Sequence, residues 1–490
     1  MRVGSWVAAM GFWLSMGWAA AQSAPVGLVA SPEPGWPQWR GPRRDGVSTE
    51  RGLLQSWPAG GPARLWSAGG LGRGYSSPIV VRDRIYMTGE VGDELRVFAL
   101  DLAGRPVWQS TNGRAWKGQF PGARASCTYS GGRIYHLNAN GRVACLDAAT
   151  GKELWFVDLV ERFGAQAHTW GLSECLLVDG ARVVVTPGGK KALLAALDAR
   201  TGATIWTTPP MSLGPSQPPD LLRVAEPVGE VEGAGYASPI LVRIGARRVV
   251  VTCTLRHLVC VDAETGKLLW TRPLENRFKV IALTPVLVGD AVFVTGPDGP
   301  GGKLFRLRAT GDRVSASEVW TSTLDTCHGG AVYVGDAIYG SWYRRPAWGA
   351  IDARTGATLF QEAEREMGSL IWADGRLYCL SQSGEMRLIR PTRTGFEVKG
   401  RFRLTPERRD DVWAHPVIAD GRLYLRDHDT LYCYDVRDPS RRDDARRRTV
   451  ALRSGGGYGG PAGDGAGADA VTEDAGLPLT RTTTVQRRKK

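Results

Sequence analysis

The stretch that decides the fold of this 490-residue chain runs Val143-Ala144-Cys145-Leu146-Asp147-Ala148-Ala149-Thr150-Gly151-Lys152-Glu153-Leu154-Trp155. It predicts a short buried strand, a tight turn at Asp-x-x-Thr-Gly, and a second strand that ends in tryptophan. Variants of the stretch recur as Asp101/Gly104/Trp108, Asp198/Gly202/Trp206, Asp262/Gly266/Trp270 and, with another aromatic, Asp352/Gly356/Phe360. The turn glycine always lies four residues before the aromatic, because the turn needs a residue that tolerates positive φ. Repetition of this kind predicts an array of similar small sheets.

Short apolar runs joined by turn pairs precede these copies and predict eight β-hairpins. The first complete unit begins near Ser76, whereas residues 63–66 look like a fourth strand without its three partners. The last unit stops after its third strand, residues 431–435, so each end of the array lacks what the other has. An open β-solenoid does not explain this split unit. We therefore predict an all-β fold, an eight-bladed β-propeller of four-stranded antiparallel blades, with a ring closed by the N-terminal strand.

The two ends of the chain differ in composition from the repeats. Arg2 is followed by an uncharged run to Ala21 that ends in three alanines, which predicts a secretory signal peptide over residues 1–21; a retained anchor is the alternative. A proline-rich lead precedes the predicted propeller, residues 36–437. Residues 438–490 are glycine-rich and basic, which predicts a disordered tail. We expect a secreted or periplasmic protein, with no membrane span once the signal is removed.

Charge and cysteine content narrow the classes of function. The formal net charge is +13, but no basic stripe is interleaved with aromatics, so we do not expect nucleic acid as a partner. Cys145, Cys260 and Cys433 each lie two residues before a repeat aspartate, where other units have alanine. This position calls for a small buried side chain rather than a disulfide. Pairing stays open for the remaining cysteines, which are Cys127, Cys175, Cys253, Cys327 and Cys379.

The Ala-x-Asp-x-x-Thr-Gly-x-x-x-Trp copies resemble the tryptophan-docking repeat of pyrroloquinoline-quinone-like (PQQ-like) β-propellers over residues 36–437. The lead Trp36-Pro37-Gln38-Trp39-Arg40-Gly41-Pro42 is similar to the start of secreted members described loosely as polyvinyl-alcohol-dehydrogenase-like. The resemblance implies that each tryptophan packs against the turn of the next blade. It assigns structural, blade-docking roles to Asp101, Trp108, Asp147, Trp155, Asp198, Trp206, Asp262, Trp270, Trp320 and Asp352.

The same scaffold carries quinoprotein dehydrogenases and non-catalytic proteins, including the propeller lipoprotein of the outer-membrane protein assembly machinery. The quinoprotein alcohol dehydrogenases have adjacent cysteines over the quinone and a calcium site of Glu, Asn and Asp. This sequence has no Cys-Cys pair, and no such ligand trio can be placed in it. We therefore expect no cofactor and a ligand- or protein-binding scaffold, monomeric and in the cell envelope. The alternative is a PQQ- and calcium-dependent alcohol or polyvinyl-alcohol dehydrogenase.

A binding site in a propeller is expected at the channel mouth, on the loops that lead into each first strand. Aligning the units places hydroxyls at one recurring position there, among them Ser77, Ser126 and Ser173, with His415 in the last unit. These hydroxyls either cap the turn or face a ligand. Two residues earlier the side chains differ from unit to unit, which leaves room for recognition. The candidate ligand-binding residues are Tyr75, Arg124, His168, Tyr236, His328, Trp413 and His415, and no catalytic residue is assigned.

Overall fold

The computed structural model describes residues 24–213 and 230–441, apart from residues 275, 277, 298, 300, 365 and 406–409. The predicted signal peptide and nearly all of the predicted tail lie outside the described residues. Two strands precede the first blade, β1 (Val26–Leu28) and β2 (Arg64–Ala68). The described chain ends with a 3₁₀ turn at Pro439–Arg441.

Eight sheets follow one another along the chain, and each runs antiparallel from its first strand to its last. The first four blades are formed by β3 (Ile79–Val81), β4 (Arg84–Val91), β5 (Glu94–Asp101) and β6 (Pro106–Arg114); β7 (Thr128–Ser130), β8 (Arg133–Leu137), β9 (Arg142–Asp147) and β10 (Glu153–Asp158); β11 (Leu177–Asp179), β12 (Arg182–Val185), β13 (Leu194–Asp198) and β14 (Thr204–Thr208); β15 (Ile240–Ile244), β16 (Arg247–Cys253), β17 (His257–Asp262) and β18 (Leu268–Pro273). A five-residue helix, α1 (Leu159–Phe163), follows β10 between an Asp158 N-cap and a left-handed Gly164.

The remaining blades repeat this order. They are formed by β19 (Val286–Val288), β20 (Ala291–Gly296), β21 (Gly301–Thr310) and β22 (Arg313–Ser322); β23 (Ala331–Val334), β24 (Ala337–Trp342), β25 (Ala347–Asp352) and β26 (Thr358–Ala363); β27 (Gly368–Ala373), β28 (Arg376–Ser381), β29 (Glu385–Pro391) and β30 (Phe396–Arg403); β31 (Val417–Ala419), β32 (Arg422–Asp427) and β33 (Thr430–Asp435), completed by β2. At most junctions the first strands of neighbouring blades touch, and together the first strands surround a central channel. The eight-bladed propeller is confirmed.

The ring closes through the eighth blade, whose outermost strand comes from the start of the chain. β2 pairs antiparallel with β33, and Trp66 lies opposite Cys433. Closure by a strand from the other end of the chain leaves no open edge at the junction of the first and last blades. The closing strand predicted from the split repeat is therefore confirmed.

Neighbouring blades are joined by a repeated contact that we call the docking belt. In it, a tryptophan ring on the last strand of one blade covers the turn glycine of the next blade. The pairs are Trp66 on Gly104, Trp108 on Gly151, Trp155 on Gly202, Trp206 on Gly266 and Trp320 on Gly356. A Cβ at these glycines would lie only 2.3 to 2.8 Å from a tryptophan atom, and each glycine has positive φ. Each indole N–H also donates to a carbonyl of the same turn.

The turn aspartate organises the backbone over which the tryptophan packs. Asp147 Oδ1 accepts from the backbone N–H groups of Ala149 and Thr150 and from the Thr150 hydroxyl. These bonds stabilise the carboxylate, and they hold the pKa of Asp147 below its usual value. The same pattern recurs at Asp198, Asp262 and Asp352.

Where the motif is degraded, the belt changes. Trp270 precedes the fifth blade, which lacks the aspartate turn, and its indole N–H has no hydrogen-bond partner in the described chain. Phe402 takes the tryptophan position in the seventh blade and packs on Gly61, just before β2. The residues before the closing strand therefore supply the turn glycine that the split eighth blade lacks.

The cysteines of the repeat position lie directly across from the docking aromatics. Cys145 pairs with Trp155, Cys260 with Trp270 and Cys433 with Trp66 in the β-ladders, and alanine takes this place opposite Trp108 and Trp206. A small side chain is needed there because the large indole ring lies on the neighbouring strand. The small-residue interpretation is confirmed. All eight cysteines are buried and none of them forms a disulfide, including the five for which pairing was open.

The sequence did not reveal the role of the lead. Residues 24–62 form a segment that we call the plug. Residues 24–50 run through the central channel, and the rest passes outward, where the Leu54 and Trp57 N–H groups donate to Val436 and to Lys399 on the outermost strand β30. β1 pairs with β15 on its channel side, so the fourth blade has five strands. Plug hydrogen bonds reach the first strands or adjoining turns of all eight blades: Trp36 to Val80, Pro37 to Tyr129, Arg44 to Leu176 and Pro239, Trp39 to Thr284, Arg40 to Ala331, Ser48 to Trp372, and Glu50 to Gly421.

Two arginines of the plug are buried at the centre of the channel. Arg44 donates to the carbonyls of Cys175, Leu176 and Pro239, and its Nε–H donates to Gln38. Arg40 donates to backbone carbonyls and contacts His415 Nδ1. Burial lowers the pKa of each arginine to about 10, so both stay charged at neutral pH. The plug thus satisfies inner-strand carbonyls that a bare channel would leave to water.

Candidate functional site

The segments that lead into the first strands converge on a cavity at the end of the channel opposite the first hairpin turns. We call this cavity, with a volume of about 480 Å³, the cup. Its size is that of a small-molecule pocket or of a recess for partner side chains. It is lined by Trp39, Tyr75, Phe120, Arg124, Trp170, Ser173, Cys175, Tyr236, Ser238, Phe278, Val280, Ala282, Pro297, Cys327, His328, Tyr343, Met367 and Trp413.

The floor of the cup comes from the plug. The Trp39 indole N–H donates to Thr284 Oγ1 at 2.9 Å, and its ring packs against His415 with centroids 4.4 Å apart. His415 is buried beneath the floor: its Nε2 lies 2.9 Å from the His328 carbonyl and its Nδ1 lies 3.3 Å from Arg40. Burial and the charge of Arg40 lower the pKa of His415 to about 3. Trp39 therefore makes the cup a blind pocket rather than a through-channel.

One wall of the cup is a cluster of aromatic rings around Trp413. Tyr75 lies 4.7 Å from Trp413 between ring centroids, His328 lies 4.6 Å away and Phe120 lies 5.0 Å away. Trp170 and Tyr236 meet edge to face on another side. Aromatic walls of this kind bind rings and apolar side chains, because they offer large apolar areas with few rotatable bonds.

His328 brings a neutral imidazole to this wall. Burial lowers its pKa to about 4, so the ring is uncharged at neutral pH. Its Nε2 atom and the Trp413 Nε1–H group are both buried, and neither has a hydrogen-bond partner among the described residues. Buried polar atoms of native proteins are normally satisfied, so these two atoms at the wall of the cup are candidates for contact with a ligand.

Arg124 holds a loop at the mouth of the cup. We call this loop, residues 115–124, the lip. The guanidinium donates to the backbone carbonyls of Gln119, Phe120, Gly122 and Trp170. Burial lowers its pKa to about 10, so it remains a cation. Most of its N–H groups are therefore bonded to the lip. The guanidinium offers the cup its positive charge rather than a pair of free N–H donors.

The structure brings together five of the seven candidate residues from the sequence. Tyr75, Arg124, Tyr236, His328 and Trp413 all line the cup. The other two lie elsewhere: His415 lies under the floor, and His168 lies against Gly233, outside the cup lining. Sequence reasoning missed Trp39, Phe120, Trp170, Phe278 and Tyr343, since none of them lies at the position where the repeats were compared.

The alignment of the third blade is two residues out of register. The predicted position is Ser173, but Cys175 takes the place of the recurring hydroxyl. The His415 N–H donates to Ser77 Oγ, the Ser77 N–H to Ser126 Oγ, the Ser126 N–H to Cys175 Sγ and the Cys175 N–H to Ser238 Oγ. These side chains therefore link neighbouring blades around the channel, which is a structural role.

The sequence model of the family "Outer membrane protein assembly factor BamB" matches residues 93–362 and 190–477, well over half of the chain. The chain belongs to this family. The PQQ-like repeat resemblance is thereby confirmed. A BamB from Burkholderia pseudomallei is 29% identical over 265 residues, which cover 46% of this chain and 63% of that protein. The match therefore spans less than two thirds of that relative's length.

Solved structures show the fold that the BamB family shares with enzymes. BamB from Moraxella catarrhalis superimposes with a TM-score of 0.50 at 17% identity, over 76% of this chain and 97% of that one. The quinohemoprotein alcohol dehydrogenase from Comamonas testosteroni gives a TM-score of 0.55 at 14% identity, over 82% and 80% of the two chains. At such identities the likeness establishes the propeller alone.

The residues of the cup do not fit a calcium-held quinone. None of the described lining residues is a carboxylate, whereas calcium takes six to eight oxygen ligands. In the described parts of this BamB-family chain, no group of three or more His, Cys, Asp or Glu side chains could hold a metal ion. Among the described residues, no helix is long and apolar enough to cross a membrane.

Proposed function

We propose that this protein is an exported scaffold of the cell envelope that binds protein partners in outer-membrane protein assembly, with the cup as a recognition site. The family match carries the proposal, since the matching relative is itself described as an assembly factor. We further propose that it acts as a monomer without a cofactor. Export rests on the predicted signal over residues 1–21.

The composition of the cup supports recognition. Interfaces draw most of their binding energy from a few buried aromatic and arginine side chains in a pocket. The cup combines such residues in Trp413, Tyr75 and Tyr236, beside the charge of Arg124. It is closed at its base by Trp39, so a partner side chain that enters it loses contact with water. A blind aromatic recess on a rigid ring is suited to anchoring a loop of another protein.

A quinone-dependent alcohol dehydrogenase remains the competing class because it shares the propeller fold. Oxidation of an alcohol on this scaffold needs a base and a Lewis-acidic cation beside the quinone. The described cup offers a neutral His328 and a cationic Arg124, but no carboxylate. This donor set supports the scaffold over the enzyme.

Complementation of a gene deletion tests the proposal. Deleting the gene in the cell that carries it should lower the amount of β-barrel proteins in outer-membrane fractions, and the wild-type gene should restore it. A His328→Ala/Trp413→Ala variant should fold but fail to restore that amount, while Phe156→Ala, a change of an exposed side chain on β10, should restore it. Arg124 is left in place because it holds the lip. Full rescue by the double variant, or no effect of the deletion, would refute the proposal.

A further inference from the structure

The protein places one of its own aromatic rings over the cup. Phe120, at the tip of the lip, packs on Trp413 with ring centroids 5.0 Å apart, yet it is 45% exposed. Its backbone has φ 51, a left-handed conformation that bulky side chains rarely adopt. The Arg124 guanidinium donates to the Phe120 carbonyl and so helps to hold this conformation. The ring therefore lies at the mouth as a cover over Trp413 and shows that the wall accepts an aromatic partner.

The polar atoms next to this stacking surface remain unsatisfied. Trp413 Nε1–H needs an acceptor, and His328 Nε2 needs a donor or an acceptor according to its tautomer. The two rings lie 4.6 Å apart between centroids, so both atoms belong to one small region of the wall. A hydroxyl accepts from the indole N–H, and it can donate to or accept from the imidazole, so it satisfies either tautomer.

The charge of the residues around the cup limits which ligands the cup can bind. The described lining includes no Asp or Glu, and Arg124 is a buried cation at the mouth. A ligand with an ammonium group would therefore meet Arg124 with no carboxylate among the described lining residues to pair with, since Glu90 and Asp411 lie behind Arg124 and His328 rather than in the lining. An uncharged hydroxyl meets no such penalty.

We propose that the cup binds an aromatic ring that bears a hydroxyl group. The ring stacks on Trp413 in place of Phe120, and the hydroxyl accepts from Trp413 Nε1–H and pairs with His328 Nε2, which become accessible as Phe120 moves aside. This phenol chemistry has two sources, a free phenolic compound or a tyrosine side chain of a partner protein. The inference rests on the proposed function only in using the same cup.

Calorimetric titration of the purified protein with three small ring compounds tests the chemistry. p-Cresol, which corresponds to the tyrosine side chain, should bind at least about fivefold more tightly than toluene. One good hydrogen bond contributes about this factor to the affinity. Benzylammonium should bind more weakly than toluene. Equal affinities for p-cresol and toluene, tighter binding of benzylammonium, or no binding of p-cresol up to about 10 mM, a weak-affinity limit, would overturn the proposal.

Variants assign the selectivity to the two unsatisfied atoms. Trp413→Phe with His328→Leu keeps an apolar wall but removes both polar atoms, so p-cresol and toluene should bind it about equally. Trp342→Phe, a buried tryptophan whose indole N–H already bonds Thr323, is the matched control and should keep the preference. Phe120→Ala should strengthen p-cresol binding because the covering ring is gone. Melting curves check that each variant folds. A preference retained in the double variant contradicts the assignment.

A second pair of ligands identifies the source. N-acetyl-Ala-Tyr-Ala-amide and its phenylalanine analogue present the same ring within a peptide. Preference for the tyrosine peptide indicates a partner's tyrosine, whereas binding of p-cresol but neither peptide indicates a free phenol. All these titrations use the purified protein alone, so their failure is distinct from a failure of the complementation test.

Discussion

The docking belt and the cup lie in the same blades but follow opposite rules. In the belt, one arrangement of tryptophan over glycine is repeated at five junctions between blades. In the cup, the blades contribute different side chains at equivalent places, such as Tyr75, Arg124, His328 and Trp413. Repetition solves one packing problem many times, whereas variation is needed to recognise an asymmetric ligand. The difference teaches that the contacts that stabilise the ring are distributed around the docking belt, whereas recognition is concentrated at the channel mouth.

The largest expected effect comes from breaking the ring to which both regions belong. Deleting residues 61–68 removes β2 and the Gly61 that supports Phe402, so the eighth blade loses its outer strand. We expect loss of the cooperative thermal transition in circular dichroism, because an open ring exposes a strand edge and the core beneath it. Deleting residues 393–394, which are exposed in the four-residue turn between β29 and β30, is the control and should leave the transition in place. An unchanged melting curve for the 61–68 deletion would contradict ring closure.

A single belt residue should matter far more than its exposed neighbour. Trp155 is 8% exposed and covers Gly202, while Phe156 on the same strand is 55% exposed. Trp155→Ala should lower the free energy of unfolding by about 3–5 kcal/mol, as for large-to-small changes in cores. Phe156→Ala should change it by less than about 0.5 kcal/mol. Denaturant titration measures both. Equal losses in the free energy of unfolding for the two variants would contradict the claim that the docking belt stabilises the ring more than exposed residues do.

Belt and channel should also respond differently to pH. Glu174, next to the cup residue Ser173, is buried: its Oε1 accepts from the Thr186 N–H, and its Oε2 has no partner in the described chain. Burial raises its pKa to about 7, although Arg44 of the plug acts in the opposite direction. A carboxyl with a raised folded pKa contributes stability below its unfolded pKa of about 4.3 and loses it as the pH rises through about 7.

Glu174→Gln should therefore flatten the fall in stability between pH 5 and pH 8. At pH 8 the variant should be more stable than the wild type by on the order of 2 kcal/mol. The belt carboxylate Asp147 has a lowered pKa, so its contribution should instead be lost only in acid, below about pH 4. Denaturant titrations from about pH 3 to about pH 8 measure both effects. If stability falls with rising pH as steeply in Glu174→Gln as in the wild type, the fall does not arise from this carboxyl.

The smallest effect is expected at the cysteines opposite the docking aromatics. Cys145→Ala, Cys260→Ala and Cys433→Ala should each cost about 1 kcal/mol or less, because alanine already fills this place in other blades. Mass spectrometry of unreduced protein, alkylated after denaturation, should find all three as free thiols. A disulfide between any two of them is incompatible with their positions in different blades.

Much of the belt could be predicted from the sequence because its signal is repeated. The Asp-Gly-Trp spacing predicts the four-stranded blade, and the unit split between residues 63–66 and 431–435 predicts the closed ring. The plug could not be predicted in this way, since Trp39, Arg40 and Arg44 lie outside the repeat. Their partners, the Thr284 hydroxyl and several backbone carbonyls, are far away in the sequence. The cup was found in part: the repeat position located Tyr75 and Trp413, but Phe120 and Trp39 come from a lip and a plug outside the repeat.

The central claim is that the channel mouth recognises a partner rather than oxidises an alcohol. Dye reduction by the purified mature protein, supplied with pyrroloquinoline quinone, calcium and a simple alcohol, tests it most directly. With no carboxylate among the described residues that line the cup, we predict no alcohol-dependent reduction above that of a heat-killed control. Reduction that depends on the alcohol, the quinone and calcium together would contradict the claim and assign the protein to the dehydrogenases.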